Sequence, residues 1–293
     1  MNIPDANIQL IVDRYLRSEA SASMIVMELV QHTEDTTALA RVLPTLTGEA
    51  EKLGELAQHL ADHEDGCRTI VKMLRQRLDS PEIAVDANEG IERCRKLFDA
   101  SVAQSEESSV ALYSLGSREL LAAATDEVIS ILEDWGVLGV HRDALEIGCG
   151  IGRLMVPLSS RVRSLVGTDV SPGMISAATR RLEGLSNTRV QLTTGQNLSE
   201  FDSDSMDLIY SVDAFPYVVL SGQALVEHYF SEVRRLLRPG GDFVLFNYAY
   251  GRSRDDINDE VLAYAQIAGL QIIRADESPF QIWNGIGWLM RRS

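Results

Sequence analysis

Cysteine is scarce and scattered in this chain: Cys67, Cys94 and Cys149 stand far apart with no CxxC pair. That excludes a disulfide-framed scaffold and a zinc knuckle, and three reduced thiols are the reading. Basic residues are also in deficit. Lys and Arg total 27 against 43 Asp and Glu, for a net charge of −16, so the surface repels phosphate backbones and no nucleic-acid partner is expected. No apolar run approaches the roughly 20 residues of a membrane helix. The first residues lack the basic segment, apolar core and cleavage site of a signal peptide, so a cytoplasmic protein with no membrane partner is expected. His59 and His63 have metal-ligand spacing, but acidic neighbours and no third clustered histidine point to a solvated helix face and no metal. What is present is ordinary: 45% hydrophobic and 24% charged residues over 293, enough for one large domain or two small ones.

Two textures divide the sequence. From Ile8 to about Ser109 the apolar residues recur at intervals of three and four, as on helices: Leu10, Ile11, Tyr15 and Leu16 form one stripe, and Ile25, Leu29 and Val30 another. Breaks fall at Pro44 to Gly48 and at Asp79-Ser80-Pro81, where proline removes an amide donor. A turn at Gly116 and an N-cap at Ser117 then open a long helix to Trp135. Beyond it, short apolar runs alternate with helical ones: ALEIG, LVGTDV, RVQLTTG, DLIYSV and DFVLFNY, with GMISAATRRLEGL and LVEHYFSEVRRLL between them. That alternation predicts an α/β fold with a parallel sheet covered by helices on both faces. The final GLQIIRADESPF and GWLMRR read as an antiparallel hairpin at the sheet edge. The expected division is a helical region over 1–110 and a second domain over 111–293.

The stretch ALEIGCGIG carries the chemistry. A strand ending at Ile147 must turn sharply into a helix, and Gly148, Gly150 and Gly152 let the backbone approach a ligand more closely than a β-carbon permits. A dinucleotide fingerprint spaces its glycines GxGxxG; here the third comes one position early and Glu146 precedes them. An acid there can receive the ammonium of an amino acid, which S-adenosylmethionine has and NAD lacks. Asp169 ends the next strand, at the position where a carboxylate accepts both ribose hydroxyls.

With these motifs, Asp169-Val170-Ser171-Pro-Gly-Met174, DLIYSVDAFPYV and LLRPGGDFVLFN in order, residues from about 120 to 293 resemble a class I S-adenosylmethionine-dependent methyltransferase of small-molecule type. The resemblance implies a seven-stranded, mostly parallel, doubly wound sheet with a terminal antiparallel hairpin. It implies S-adenosylmethionine as cofactor, with Glu146, Gly148, Cys149, Gly150, Gly152, Asp169, Val170, Met174 and Ser211 along its cleft, Cys149 as a small filler. Where the family often has an acid after the third strand, this chain has Thr194-Gly195-Gln196-Asn197-Leu198. Gln196 can donate and accept at an adenine edge, and the amides of Asn197 and Leu198 can share the reading. Tyr113 is similar in position to an aromatic lid over the cofactor.

Ligands of a doubly wound sheet sit beyond the carboxyl ends of its strands, at the switch point. Strand four ends near Ser211 to Asp213 and strand five near Asn247, Tyr248 and Tyr250. Asp213 is the expected base or partner for a cationic group, with Tyr217 and Tyr248 as a cation-friendly aromatic wall. Trp283 and Asn284, in the final hairpin loop, are further candidates, whereas His228 reads as incidental. The expected reaction is methyl transfer to a small-molecule acceptor, with a thioether such as methionine as one acceptor type. A non-catalytic S-adenosylmethionine-binding protein and a nicotinamide oxidoreductase are the rival classes. The helical region is expected to act as a lid and as the interface of a homo-oligomer, because its apolar stripes, Met24 and Met27 included, exceed what a lone helix exposes.

Overall fold

The computed structural model describes residues 6–33, 35–76, 84 and 86–293; the expected break at Asp79-Ser80-Pro81 lies outside them. The chain forms two compact units. One takes the described residues up to 76 with 101–127 and 280–284, and the other takes 84 and 86–100 with 128–279 and 285–293.

The first unit is helical. Its helices are α1 (Ala6–Leu16), α2 (Ala22–Gln31), α3 (Thr36–Val42), α4 (Ala50–Asp62) and α5 (Glu64–Gln76). Ser21 caps α2 by accepting the Met24 amide at 3.2 Å, and Asp35 caps α3 through the Ala38 amide at 2.8 Å. Pro44 sits in a short 3-10 turn, Leu43–Thr45, that separates α3 from α4. The apolar stripes converge on one core containing Val12, Ile25, Leu29, Val30, Leu53, Leu56 and Leu60. His59 meets the Ser23 hydroxyl at 2.9 Å, and the His63 ring lies 2.9 Å from the His59 carbonyl just past the end of α4. The pair therefore closes a helix end.

Four further helices follow in sequence: α6 (Ala87–Val102), α7 (Glu106–Val110), α8 (Arg118–Asp134) and α9 (Met155–Leu158). Ser117 caps α8 through the Leu120 amide at 3.2 Å. The second unit is built on a sheet of seven strands among the described residues: β1 (Gly139–Ile147), β2 (Val162–Asp169), β3 (Thr188–Leu192), β4 (Met206–Val212), β5 (Leu237–Phe246), β6 (Leu270–Glu277) and β7 (Gly287–Arg292). Their order is β3-β2-β1-β4-β5-β7-β6. All neighbours up to β5 run parallel, and β7 is antiparallel to both β5 and β6. The connecting helices are α10 (Pro172–Arg181), α11 (Phe215–Leu220), α12 (Gln223–Leu236) and α13 (Arg254–Ala268). Parallel strands need such crossovers, which is why short apolar runs and helical periods alternate in the sequence.

The sheet reverses its winding between β1 and β4, and the strand ends there are buried but not wholly apolar, since they carry Glu146, Tyr210 and Ser211. Ala144 to Ile147 on β1 and Leu208 to Val212 on β4 are buried. Register pairs Glu146 with Tyr210 across β1 and β4 and with Gly167 across β1 and β2. The cleft outside these ends is the place where this fold takes ligands.

Candidate functional site

The loop after β1 is shaped by its three glycines, all with positive φ, at +74°, +53° and +71° for Gly148, Gly150 and Gly152. At Gly148 the need is also steric. A β-carbon there would lie 2.2 Å from the Ala214 β-carbon, so the loop is pressed against the residue that follows Asp213.

Two acids flank this loop, Glu146 buried and Asp169 half-buried. Glu146 is buried, accepts the Tyr210 hydroxyl at 3.0 Å, and is pushed up to about 8 by burial, against the opposing pull of that hydroxyl and of the Arg153 charge. An acid held so is short of positive charge, which is what the ammonium of an amino-acid tail supplies. Asp169 ends β2 and takes the Gly150 amide on one oxygen and the Ser171 amide on the other, both at 2.9 Å. Burial still raises it to about 6. The carboxylate thus holds the glycine loop at a fixed distance from the strand beside it. S-adenosylmethionine fits this donor set: Glu146 for its ammonium, the loop backbone for its amino-acid part, Asp169 for its ribose.

The second unit's α6 closes this end of the cleft. Asp99 accepts the Ser171 hydroxyl at 2.6 Å and the Gly173 amide at 2.9 Å, and pairs with Arg95 at 3.1 Å. It therefore ties α6 to the start of α10 and, through Ser171, to Asp169. Farther along, Gln196 donates to Asn88 at 2.5 Å, and a β-carbon on Gly195 would meet Val170 at 2.7 Å and Ile91 at 3.0 Å. A cavity of about 280 Å³ remains between α6 and the ends of β2 and β3, lined by Asn88, Ile91, Glu92, Arg95, Val170, Pro172 and Leu192 to Thr194.

Beyond β4 and β5 a second cluster forms. Asp213 and Asn247 each follow a strand end in left-handed backbone, at φ +60° and +64°. Asp213 Oδ1 accepts from Asn247 Nδ2 at 2.5 Å and from the Tyr250 hydroxyl at 2.6 Å. The Tyr217 ring stands edge-on to Tyr250 (6.3 Å, 81°) and to Phe98 of α6 (4.7 Å, 75°).

Several expected site residues are held by contacts within the protein. The Leu198 amide donates to Glu232 at 3.1 Å and its side chain is in the core, so that amide is not turned to a ligand. Tyr248 is fully buried beside Phe215, and burial raises its hydroxyl. Its alternation ended when β5 stopped at Phe246 and Asn247 adopted a left-handed φ, which sends Tyr250 rather than Tyr248 toward Asp213. Tyr113 is buried in the helical unit, stacked on Trp283 at 5.7 Å. Cys149 packs against Gly167 with its thiol raised by burial. The Ser211 hydroxyl ties β4 to the Ile147 carbonyl at 3.0 Å, the Met174 amide donates to Ser171, and half-buried Asn197 holds the Ser199 amide. Asn88, Phe98 and Asp99 had no local signal, since each acts on residues far along the chain.

Comparison with known proteins bears on the same residues. Residues 145–245 match the family model described as "Methyltransferase domain". A probable S-adenosylmethionine-dependent methyltransferase of Saccharomyces cerevisiae is 28% identical over 115 residues, 38% of this chain and 37% of that protein. Demethylmenaquinone methyltransferase of Tropheryma whipplei is 27% identical over 137 residues, 44% and 54% of the two chains. The chain spans about a third to a half of the length of the curated relatives it matches. Among solved structures, geranyl diphosphate C-methyltransferase from Streptomyces coelicolor shares the fold, with a TM-score of 0.54 and 18% identity over 71% of this chain and 100% of that one. Phosphoethanolamine N-methyltransferase 1 of Haemonchus contortus gives the same score and identity over 71% and 50%. Glycine loop, flanking acids, strand order and family match agree: the chain carries a class I S-adenosylmethionine-dependent methyltransferase domain.

Proposed function

We propose that this protein methylates a small-molecule acceptor, and that the cleft outside β1, β2 and β4 is where it does so. The observation that carries the reading is the pair of acids around the glycine loop, buried Glu146 and half-buried Asp169, each raised above the ordinary carboxylate range. When bound, S-adenosylmethionine supplies a methyl carbon already activated by its sulfonium, so the chain's own task is approach geometry and exclusion of water. Glu146 receives the ammonium, with Tyr210 orienting its carboxylate. Asp169 takes the ribose hydroxyls while fixing Gly150, and Val170, Gln196 and Asn88 border the adenine end. Asp213 and Tyr217 face the acceptor.

A small acceptor is supported by the names of the similar proteins, which cite a menaquinone precursor, a sterol, geranyl diphosphate and phosphoethanolamine. The net charge of −16 argues in the same direction, against nucleic acid. A thioether acceptor draws no support from a cluster built around a carboxylate. The homo-oligomer loses its argument, since Met24, Ile25, Leu29 and Val30 are buried within the chain's own helical core. No described helix is long and apolar enough to cross a membrane.

Titration calorimetry with S-adenosylmethionine, S-adenosylhomocysteine and NAD tests the reading, followed by assay of S-adenosylhomocysteine release over small amines, phenols, carboxylates and thioethers. Binding of both sulfur nucleosides and turnover with one acceptor class are expected. Binding of NAD alone overturns the proposal.

A further inference from the structure

The loop that leaves β3 is fixed on both sides of Gln196. Its Gly195 carbonyl accepts the Tyr229 hydroxyl of α12 at 3.0 Å, and its Leu198 amide donates to Glu232 of the same helix at 3.1 Å. The Gly195 and Gln196 amides each donate to a threonine hydroxyl two residues back, Thr193 and Thr194, at 3.3 Å. Gly195 has φ +76°, and the space a β-carbon would take there is filled by Val170, the residue after Asp169, and by Ile91 of α6. A backbone held so presents the Gln196 side chain from one place, with little ordering left for a ligand to impose. That side chain is exposed and gives its NH2 group to the side-chain carbonyl of Asn88, also exposed, at 2.5 Å. Gln196 Oε1 and Asn88 Nδ2 have no other partner among the described residues, so an acceptor and a donor stand side by side. Asn88 and Val170 line the same cavity of about 280 Å³.

We infer that Asn88 sets the base specificity of the cofactor site: the Asn88 and Gln196 carboxamides, joined by their hydrogen bond, read the amino group and the adjacent N1 of adenine as one unit. The inference rests on the methyl-transfer reading of this cleft and names the residues that choose its nucleoside. A lone glutamine carboxamide can both donate and accept. Gln196 has committed its NH2 group to Asn88, so only its acceptor side faces outward, which suits the adenine amino group. The ring nitrogen N1 needs a donor, and Asn88 Nδ2 is the one next to it in the pair. Hypoxanthine, the deaminated base, reverses both groups: an oxygen replaces the amino group and N1 carries a proton. Acceptor then meets acceptor and donor meets donor. Sites built on placed hydrogen-bonding groups reject such analogues far more strongly than apolar pockets do, because their own polar groups are left unpaired.

The test uses the full chain and two probes, S-adenosylhomocysteine and S-inosylhomocysteine, titrated calorimetrically into the native protein and two variants. The native chain is expected to bind the adenosyl compound at least about 30-fold more tightly. Asn88→Asp keeps an acceptor for the Gln196 NH2 group but loses the donor, and is expected to cut that preference about ten-fold or more. Asn88→Ala is expected to weaken the adenosyl compound about five-fold or more while S-inosylhomocysteine stays within about two-fold. A residue that only supported the loop would weaken both probes alike. Equal affinity of the native chain for the two probes overturns the inference while S-adenosylhomocysteine still binds, and so does a preference that survives both substitutions. Failure to bind S-adenosylhomocysteine removes the methyl-transfer reading, and this inference with it.

Discussion

A carboxylate sealed between two strands is costly to ionise, and the Tyr210 hydroxyl and the Arg153 charge offset that cost only in part at Glu146. Its folded value, about 8, lies above the ordinary 4.5, so the folded chain binds a proton that the unfolded chain releases. Stability from this group is complete below about pH 4.5 and is lost as pH rises toward 8. Asp169, raised to about 6, adds to the lower part of the same window. Thermal melts of the ligand-free protein should therefore show falling stability between pH 5 and 8, and Glu146→Gln should flatten the upper half of that decline. The same acid predicts proton release: an arriving ammonium favours the ionised form, so binding S-adenosylhomocysteine near pH 7 should expel part of one proton. Calorimetry in buffers of different ionisation enthalpy measures it, and Glu146→Gln should abolish most of it. Gly148 offers a sharper residue-scale test. An alanine there combines left-handed φ with a 2.2 Å approach to Ala214, and S-adenosylhomocysteine affinity should fall at least about 100-fold, a cost of roughly 3 kcal/mol.

Among the elements, α6 does what no local pattern announces. Its Asp99 caps the first turn of α10 and reaches Asp169 through Ser171, while its other end meets Gln196 through Asn88. Losing an N-cap acceptor costs about 1 kcal/mol. Here it also frees one side of the ribose acid, so Asp99→Ala should weaken S-adenosylhomocysteine binding by about five- to ten-fold and lower the melting temperature by a few degrees. Unchanged affinity with a lowered melting point would limit Asp99 to capping. The contrast with the glycine loop explains what sequence reading reaches. Gly148, Gly150, Gly152 and Asp169 follow rules of turn and strand end that act within a few residues, and the strand–helix alternation follows from periods of 2 and 3.6. Asp99 and Asn88 act on residues 72 and 108 positions away, Ser171 and Gln196, and no periodicity encodes such a pairing. Tyr248 and Tyr250 show the other limit. Alternation holds while the strand lasts, and one left-handed residue at Asn247 reassigns which tyrosine turns to Asp213.

At the scale of the whole molecule, the charge and the helical unit pull expectations in different directions. A field of −16 favours cationic ligands and keeps copies of the chain apart. The N-terminal stripes look adhesive as sequence, yet in the folded unit Val12, Ile25, Leu29, Leu53, Leu56 and Leu60 are closed on one another, each less than 2% exposed. Hydrophobic association scales with apolar area still facing water, and these side chains retain almost none. Leu10, 62% exposed, is the large apolar side chain that α1 presents outward, and single exposed leucines are ordinary on monomers. Sedimentation velocity at low micromolar concentration should therefore give one species near the chain mass of 32.4 kDa, unchanged between 0.05 and 0.5 M salt within experimental error, and unchanged again in Leu10→Glu. Salt that screens the charge shortens the reach of the repulsion to about 4 Å at the upper concentration, so a dimer held back by charge alone would appear there. A dimer at every salt concentration that Leu10→Glu dissolves would instead restore the N-terminal helices as an interface, with α1 at its centre.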